Sequence, residues 1–375
     1  MPSAVVVGAG VFGAALADRL AGDGWQVTLV DRDEPGHERA ESGGESRLLR
    51  FSHASDAWYT RSAWRARELW QELERDVGEQ LFVEAGLAWF AHSEGGWETD
   101  SEQVLRAEGI PVERLAPDVA ADLFPGMRTD DLAFVLYEPL AGVMRAGHAT
   151  RALARRARER GAEIVREDAR PDGRAALLSD GRRLEADRVV WACGAWLPRV
   201  FPELVQVRVT QQDLFFFEPP PGWTTPPLPG YVEYDGAVYG LAGLDGKGVK
   251  VGPDADGPPL DPDTWPRTPR AETAKLATEF VTNRFPALAN APISSHAVCQ
   301  YSLTGDGHFI AAPHPDHDGA VWLYGGGSGH GFKHGPALAE RMAAWLKGEE
   351  PPEPRFGLGE RVRSRSLRTA GAEGP

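Results

Sequence analysis

A strand, a glycine-spaced tight turn and a small-residue helix open this chain, and they leave few folds open to it. Ala4-Val5-Val6-Val7 is a short, wholly apolar run of the kind buried on both faces of a parallel sheet. Gly8-x-Gly10-x-x-Gly13 follows, with Val11 and Phe12 inside it, and then Ala14, Ala15, Leu16, Ala17 and Leu20 continue as a helix. Gly22 and Gly24 close that helix, and residues 25–30 read as a second strand leading to Asp31 and Arg32. In this setting the glycines form a dinucleotide fingerprint. The first permits the tight turn, the second lets backbone approach a pyrophosphate, and the third allows close helix–strand packing. The helix N-terminus offers N–H groups and positive dipole to phosphates. Asp31 stands where a carboxylate can accept from ribose hydroxyls. A glycine-rich turn without ligand is the competing reading, and the joint presence of strand, helix and acid weighs against it. The motif alone does not separate FAD from NAD.

With 375 residues the chain exceeds one simple core, so two domains are expected. Its formal net charge of −15 argues against a nucleic-acid partner, because phosphate backbones are bound by Lys and Arg. No apolar run approaches the roughly 18 residues of a membrane span, and residues 4–7 already read as strand rather than as a signal segment. Two cysteines, Cys193 and Cys299, fit a reducing cytoplasm better than a disulfide framework. The 40 basic residues include only the lysines Lys247, Lys250, Lys275, Lys333 and Lys347, so each is a candidate for a specific role.

The periodicity predicts helices over 58–75, 148–160 and 270–284, with antiparallel strands near 205–218, 231–234, 236–241 and 249–251. A last strand at 320–324 leads through the loop 325–334 into a helix carrying Leu338, Met342, Trp345 and Leu346 on one face. The Pro- and Arg-rich tail 351–375 reads as loosely held. The expected fold class is α+β. A discontinuous, Rossmann-like α/β nucleotide domain (1–83, 139–205, 300–375) carries an inserted, mostly antiparallel substrate domain (84–138, 206–299).

The loop from Gly325 to Pro336 narrows the cofactor. It lets backbone press against a flat ligand, and the helix beyond it, with Pro336 in a first-turn position, directs positive dipole there. A reduced flavin carries negative charge near its pyrimidine ring and would be stabilised by such an end. A second phosphate loop or a plain turn is the alternative.

Four segments then make a specific resemblance: Arg47-Leu48-Leu49-Arg50, Gly194-Ala195-Trp196, Ala297-Val298-Cys299-Gln300-Tyr301 and Ser328-Gly329-His330-Gly331-Phe332-Lys333. The chain resembles the monomeric sarcosine oxidase family, which includes N-methyltryptophan oxidase, within the D-amino-acid-oxidase-like flavoproteins. The likeness runs in register from the Gly8 loop to the final helix. It implies FAD bound covalently through Cys299, although a lone cysteine taken by itself reads as core. It implies that Arg50 and Lys333 hold a substrate carboxylate, that Lys250 activates oxygen, and that Tyr239 and Tyr301 line the substrate cavity. By strand alternation alone Lys250 would be a solvated lysine, and both tyrosines could be ordinary packing. Arg47 and Ser46 are implied beside the flavin. Further cofactor contacts are implied at Gly8, Gly10, Val11, Phe12 and Gly13, at Asp31 and Arg32, at Gly194 and Trp196, and at Gly329, Gly331, Phe332 and Lys333. No residue is assigned to a metal. Cys193 matches no role and reads as core.

Two departures bear on the substrate. The family's Ser-His-His-Gly-Asp-Thr-Arg segment is here Ser42-Gly43-Gly44-Glu45-Ser46-Arg47, and Gly252-Pro253-Asp254 stands where Gly-Tyr-His is expected. Sarcosine itself is therefore in question. Asp254 reads first as a surface turn acid. The expected activity is oxidation of a secondary amino acid (N-methyl, N-alkyl or cyclic) by a cytoplasmic monomer, with oxygen reduced to hydrogen peroxide. The rivals are a flavin dehydrogenase passing electrons to a quinone or carrier protein, an NAD-dependent dehydrogenase, and a flavin-binding protein without turnover.

Overall fold

The computed structural model describes residues 1–223, 227–362 and 366–370. Its first strand, Ser3–Val7, pairs in parallel with Gln26–Asp31 on one side and Arg188–Trp191 on the other. Buried on both faces, it can be continuously apolar. Glu163–Arg166 and Val321–Gly325 extend this parallel sheet, and Ile310–Pro313 adds an antiparallel edge, making six strands. The helix Val11–Gly22 leaves the glycine turn and packs against the helices Ala146–Glu159 and Gly335–Lys347. Ala14, Ala15 and Ala17 are buried there, and their small side chains permit the close approach.

An eight-stranded sheet lies beyond. Its order is Ile293–Thr304, Val207–Phe217, Val249–Pro253, Val238–Leu241, Gly230–Glu233, Leu87–Ala91, Phe134–Glu138 and Glu113–Leu115. Every neighbouring pair is antiparallel except Gly230–Glu233 with Leu87–Ala91. The strand Ile293–Thr304, which carries Cys299, stays in this sheet along its whole length. Among the described residues two smaller sheets accompany these, and one of them pairs Ser46–Leu49 with Gly142–Arg145. No helix among the described residues is long and apolar enough to cross a membrane.

The predicted helix over 58–75 spans Ala57–Val77, capped by the Asp56 carboxylate and ended by Gly78 at φ 68. The tail departs from expectation. Phe356 is buried between Trp58 and Trp345, and Leu367, Arg368 and Thr369 are buried as well. The tail is held by polar partners that no local pattern reveals: the Ser366 carbonyl accepts from Tyr234 and Trp97, and the Ala370 N–H donates to the Tyr234 carbonyl at 2.9 Å. Residues 363–365 and 371–375 of that predicted tail lie outside the described residues.

Candidate active site

A cavity of about 480 Å³ runs from the Gly8 turn, past Asp31 and Arg32, to Gln300, Tyr301 and Phe332. Cofactor-sized clefts span roughly 300–1,000 Å³. Two glycines of the turn at its start, Gly8 and Gly13, admit no side chain. A Cβ on Gly8 would lie 2.3 Å from the Ala192 carbonyl oxygen, and one on Gly13 would lie 1.8 Å from the Gly8 carbonyl oxygen. The Ser42 hydroxyl accepts from the Val11 N–H at 2.8 Å across the same turn. Asp31 accepts from the Ala9 N–H at 2.6 Å, and burial pushes its carboxyl up. Arg32 lies 4.6 Å over the Trp196 ring, and Asp263 accepts from both residues at 2.8 Å. A turn that excludes side chains, a helix starting from it and an acid at the second strand's end are what the adenine-dinucleotide part of FAD requires, so the residues present fit the group.

A smaller cavity of about 70 Å³ shares Arg47, Tyr301, Gly329 and Phe332 with the first. Arg50 and Lys333, brought together from distant segments, line it while being only 6% and 3% exposed. Arg50 donates to the Ser52 carbonyl and, at 2.5 Å, to the Leu367 carbonyl; Lys333 donates to the His330 carbonyl at 2.8 Å. Among the described residues neither forms an ion pair with a carboxylate. Burial brings the Arg50 guanidinium down to about 10 against the opposing pull of Glu138. Burial, helped by Arg50, brings Lys333 well below the lysine range. Glu138 itself accepts from the Phe51 N–H at 2.6 Å, the Ser52 hydroxyl at 2.6 Å and the Trp89 indole at 2.7 Å, and so fixes the segment after Arg50.

Lys250 is not solvated: it is 2% exposed, and its Nζ donates to the Ser46 carbonyl and hydroxyl, both at 3.1 Å. Burial, with Arg47's charge nearby, brings its ammonium down to about 7. The Cys299 sulfur lies 3.5 Å from the Arg47 guanidinium, which lines both cavities. Cys193 lines the long cavity, and burial pushes its thiol up.

Tyr239 and Tyr301 meet at 3.5 Å between hydroxyls, and Tyr301 donates to Asp254 at 3.1 Å. Asp254 corrects the surface reading. It is 3% exposed and accepts from Arg368 and from the Thr369 hydroxyl, each at 2.9 Å. Strand Val249–Pro253 carries it inward, where the tail supplies a cation. Sequence reasoning also missed Glu41, which lines the cofactor cavity, accepts from the Ser302 N–H at 2.8 Å and is pushed up to about 7 by burial. A loop acid without periodic neighbours carries no local signal.

A parallel nucleotide sheet, a glycine turn and a cation-lined pocket beside the cleft define a dinucleotide-dependent enzyme. Residues 3–345 match the family described as FAD dependent oxidoreductase, and the chain belongs to that family. It is similar to monomeric sarcosine oxidase of Bacillus sp. (strain B-0618), 30% identical over 357 residues and covering 90% of each chain. N-methyl-L-tryptophan oxidase of Salmonella arizonae is 25% identical over 359 residues, covering 92% of this chain and 95% of its own. The crystal structure of L-proline dehydrogenase from P. horikoshii superposes with a TM-score of 0.82 at 20% identity, covering 95% of this chain and 96% of that one.

Proposed function

We propose that the enzyme oxidises the carbon–nitrogen bond of a secondary amino acid and passes the electrons to oxygen. The observation that carries this reading is the pair Arg50 and Lys333: buried cations, without a carboxylate partner among the described residues, facing a pocket that shares a wall with the cofactor cleft. A buried, unpaired charge is costly. A substrate carboxylate offsets that cost, the Arg fork matching its plane and the Lys adding a point charge. The names of the two curated relatives, acting on N-methyl amino acids, agree with such a substrate.

FAD would be held by the Gly8 turn, Asp31 and the loop 325–332 and would supply two-electron chemistry between substrate and oxygen. The residues do the rest. Arg50 and Lys333 orient the carboxylate, and Tyr239 and Tyr301 border the amine side of the pocket. The substrate loses two electrons and two protons to become an imine, which water hydrolyses unless it is cyclic; oxygen gains the same to become hydrogen peroxide. Lys250 supplies positive charge where oxygen becomes negative. Cys299, whose sulfur lies 3.5 Å from the Arg47 guanidinium that borders both cavities, is assigned the covalent bond to FAD that the family resemblance implies.

The clamp is tested by anaerobic titration with a panel of N-methyl and cyclic amino acids, read as loss of flavin absorbance. A bulkier or cyclic member should exceed sarcosine. Because a charge-assisted hydrogen bond contributes about 1.5–3 kcal/mol, Arg50→Met or Lys333→Met should weaken binding of the best substrate by roughly tenfold to a hundredfold. Unchanged titrations in both variants would place the carboxylate elsewhere.

The covalent bond has its own readout. Yellow colour should remain with acid-precipitated protein, and Cys299→Ser should release it. Free FAD in the supernatant of the unaltered protein refutes the assignment.

A further inference from the structure

Three buried histidines to which the proposed reaction assigns no role meet at the edge of the substrate pocket, with His330 in its wall. His53, His330 and His334 are 0%, 6% and 0% exposed, and one ring nitrogen from each lies within 4.8 Å of those of the others. Each ring is held from outside. His53 Nδ1 lies 2.9 Å from the Phe51 carbonyl, His330 Nε2 lies 2.9 Å from the Gly307 carbonyl, and His334 Nδ1 lies 3.0 Å from the Ser62 hydroxyl. A carbonyl only accepts, so His53 and His330 carry their protons on those outer nitrogens. That leaves His53 Nε2 and His330 Nδ1 as bare lone pairs. His334 Nε2 likewise has no protein partner, and all three of these nitrogens are buried.

We propose that His53, His330 and His334 bind one divalent first-row transition ion, for which zinc is the probe. An outer N–H donated to a carbonyl is the arrangement that orients metal-binding imidazoles. The ring centres lie 5.2, 5.9 and 6.1 Å apart. Zinc–nitrogen bonds of about 2.1 Å in tetrahedral geometry set three ring centres roughly 5 Å apart, so small ring movements close the site. Burial, followed by the charge of Lys333, lowers the proton affinity of all three imidazoles, and metal binds the neutral form. Three imidazoles without a thiolate suit zinc, copper, iron or nickel. The competing occupant is a water. A water has two protons and cannot donate to three acceptors; it satisfies the site only if His334 holds its proton on Nε2.

The ion would tie together the two segments of the clamp. His53 follows Arg50 by three residues, and His330 and His334 flank Lys333. Metal binding itself does not depend on the amino-acid reading of the pocket; its effect on substrate does. Removing the ion should raise KM more than it lowers kcat.

The test uses FAD-loaded enzyme carrying His317→Ala, which removes the surface His314–His317 pair with ring centres 4.4 Å apart. The protein is stripped with chelator, dialysed and titrated with zinc chloride by calorimetry, with zinc K-edge absorption on the loaded sample. We expect one zinc per chain, a shell of three imidazole nitrogens at about 2.0–2.1 Å, and loss of binding in His53→Gln and His334→Gln. Should those variants fail to fold, the absorption spectrum of the parent protein decides alone. Absence of stoichiometric zinc, a shell dominated by oxygen, or zinc retained in both variants would overturn the proposal. A KM unaffected by zinc in an enzyme that does bind it would refute only the coupling to the clamp.

Discussion

Replacing Lys250 by Met is expected to slow the reaction of the reduced enzyme with oxygen by about a hundredfold, with a much smaller effect on reduction by substrate. Oxygen arrives neutral and gains charge only during electron transfer. Stabilisation by a nearby ammonium is therefore concentrated in the transition state, where it lowers the barrier. About 1.4 kcal/mol is tenfold in rate, so a hundredfold asks a desolvated charge for roughly twice that. Lys250 meets the requirement. It is 2% exposed, and its Nζ spends its described bonds on Ser46 rather than on a carboxylate.

The same burial makes the effect pH-dependent. With its ammonium brought down to about 7, Lys250 is charged below that pH and neutral above it. The oxygen rate constant should fall as pH rises through about 7, and Lys250→Met should lose that limb. Lys250→Arg should restore part of the rate, because the larger fork places its charge differently. Stopped-flow measurement of both half-reactions is the check. Unchanged oxygen reactivity in Lys250→Met would favour a dehydrogenase passing electrons to a quinone or carrier protein.

The second large effect is on stability. Arg368→Met should destabilise the fold by about 3–5 kcal/mol, the usual result of breaking a buried ion pair from one side. Arg368 is 5% exposed and donates to Asp254 at 2.9 Å and to Asp256 at 2.6 Å, with its guanidinium 4.7 Å over the Tyr301 ring. Without it, Asp254 keeps only the Tyr301 and Thr369 hydroxyls among its described side-chain donors. Adding Asp254→Asn should return part of the loss, because the stranded charge goes with it. Urea unfolding of the two single variants and the double variant measures this. Equal stability of Arg368→Met and the parent protein would mean that the Arg368–Asp254 pair contributes no net energy. Leu367, one residue earlier, accepts from Arg50, so Arg368→Met should also loosen the wall of the substrate pocket.

Glycine geometry and hydrophobic periodicity act over a few residues, and what they govern was legible directly. Gly8-x-Gly10-x-x-Gly13 implied a turn, a helix and a parallel strand pair, and each is present. The helix over 57–77 follows from the spacing of Tyr59, Ala63, Ala66, Trp70 and Leu73, all of them buried. Lys333 could be singled out because a scarce residue type sits within a glycine loop. Local pattern could not reveal that Arg368 answers Asp254 across 114 positions, or that Arg50 donates to Leu367 across 317. Nor could it bring His53 to His330 and His334, or turn Lys250 from a strand lysine into a buried one. Burial and pairing of polar groups depend on which distant segments the sheets bring together. A charge has no periodicity of its own, so its partner was decided by the tertiary structure alone.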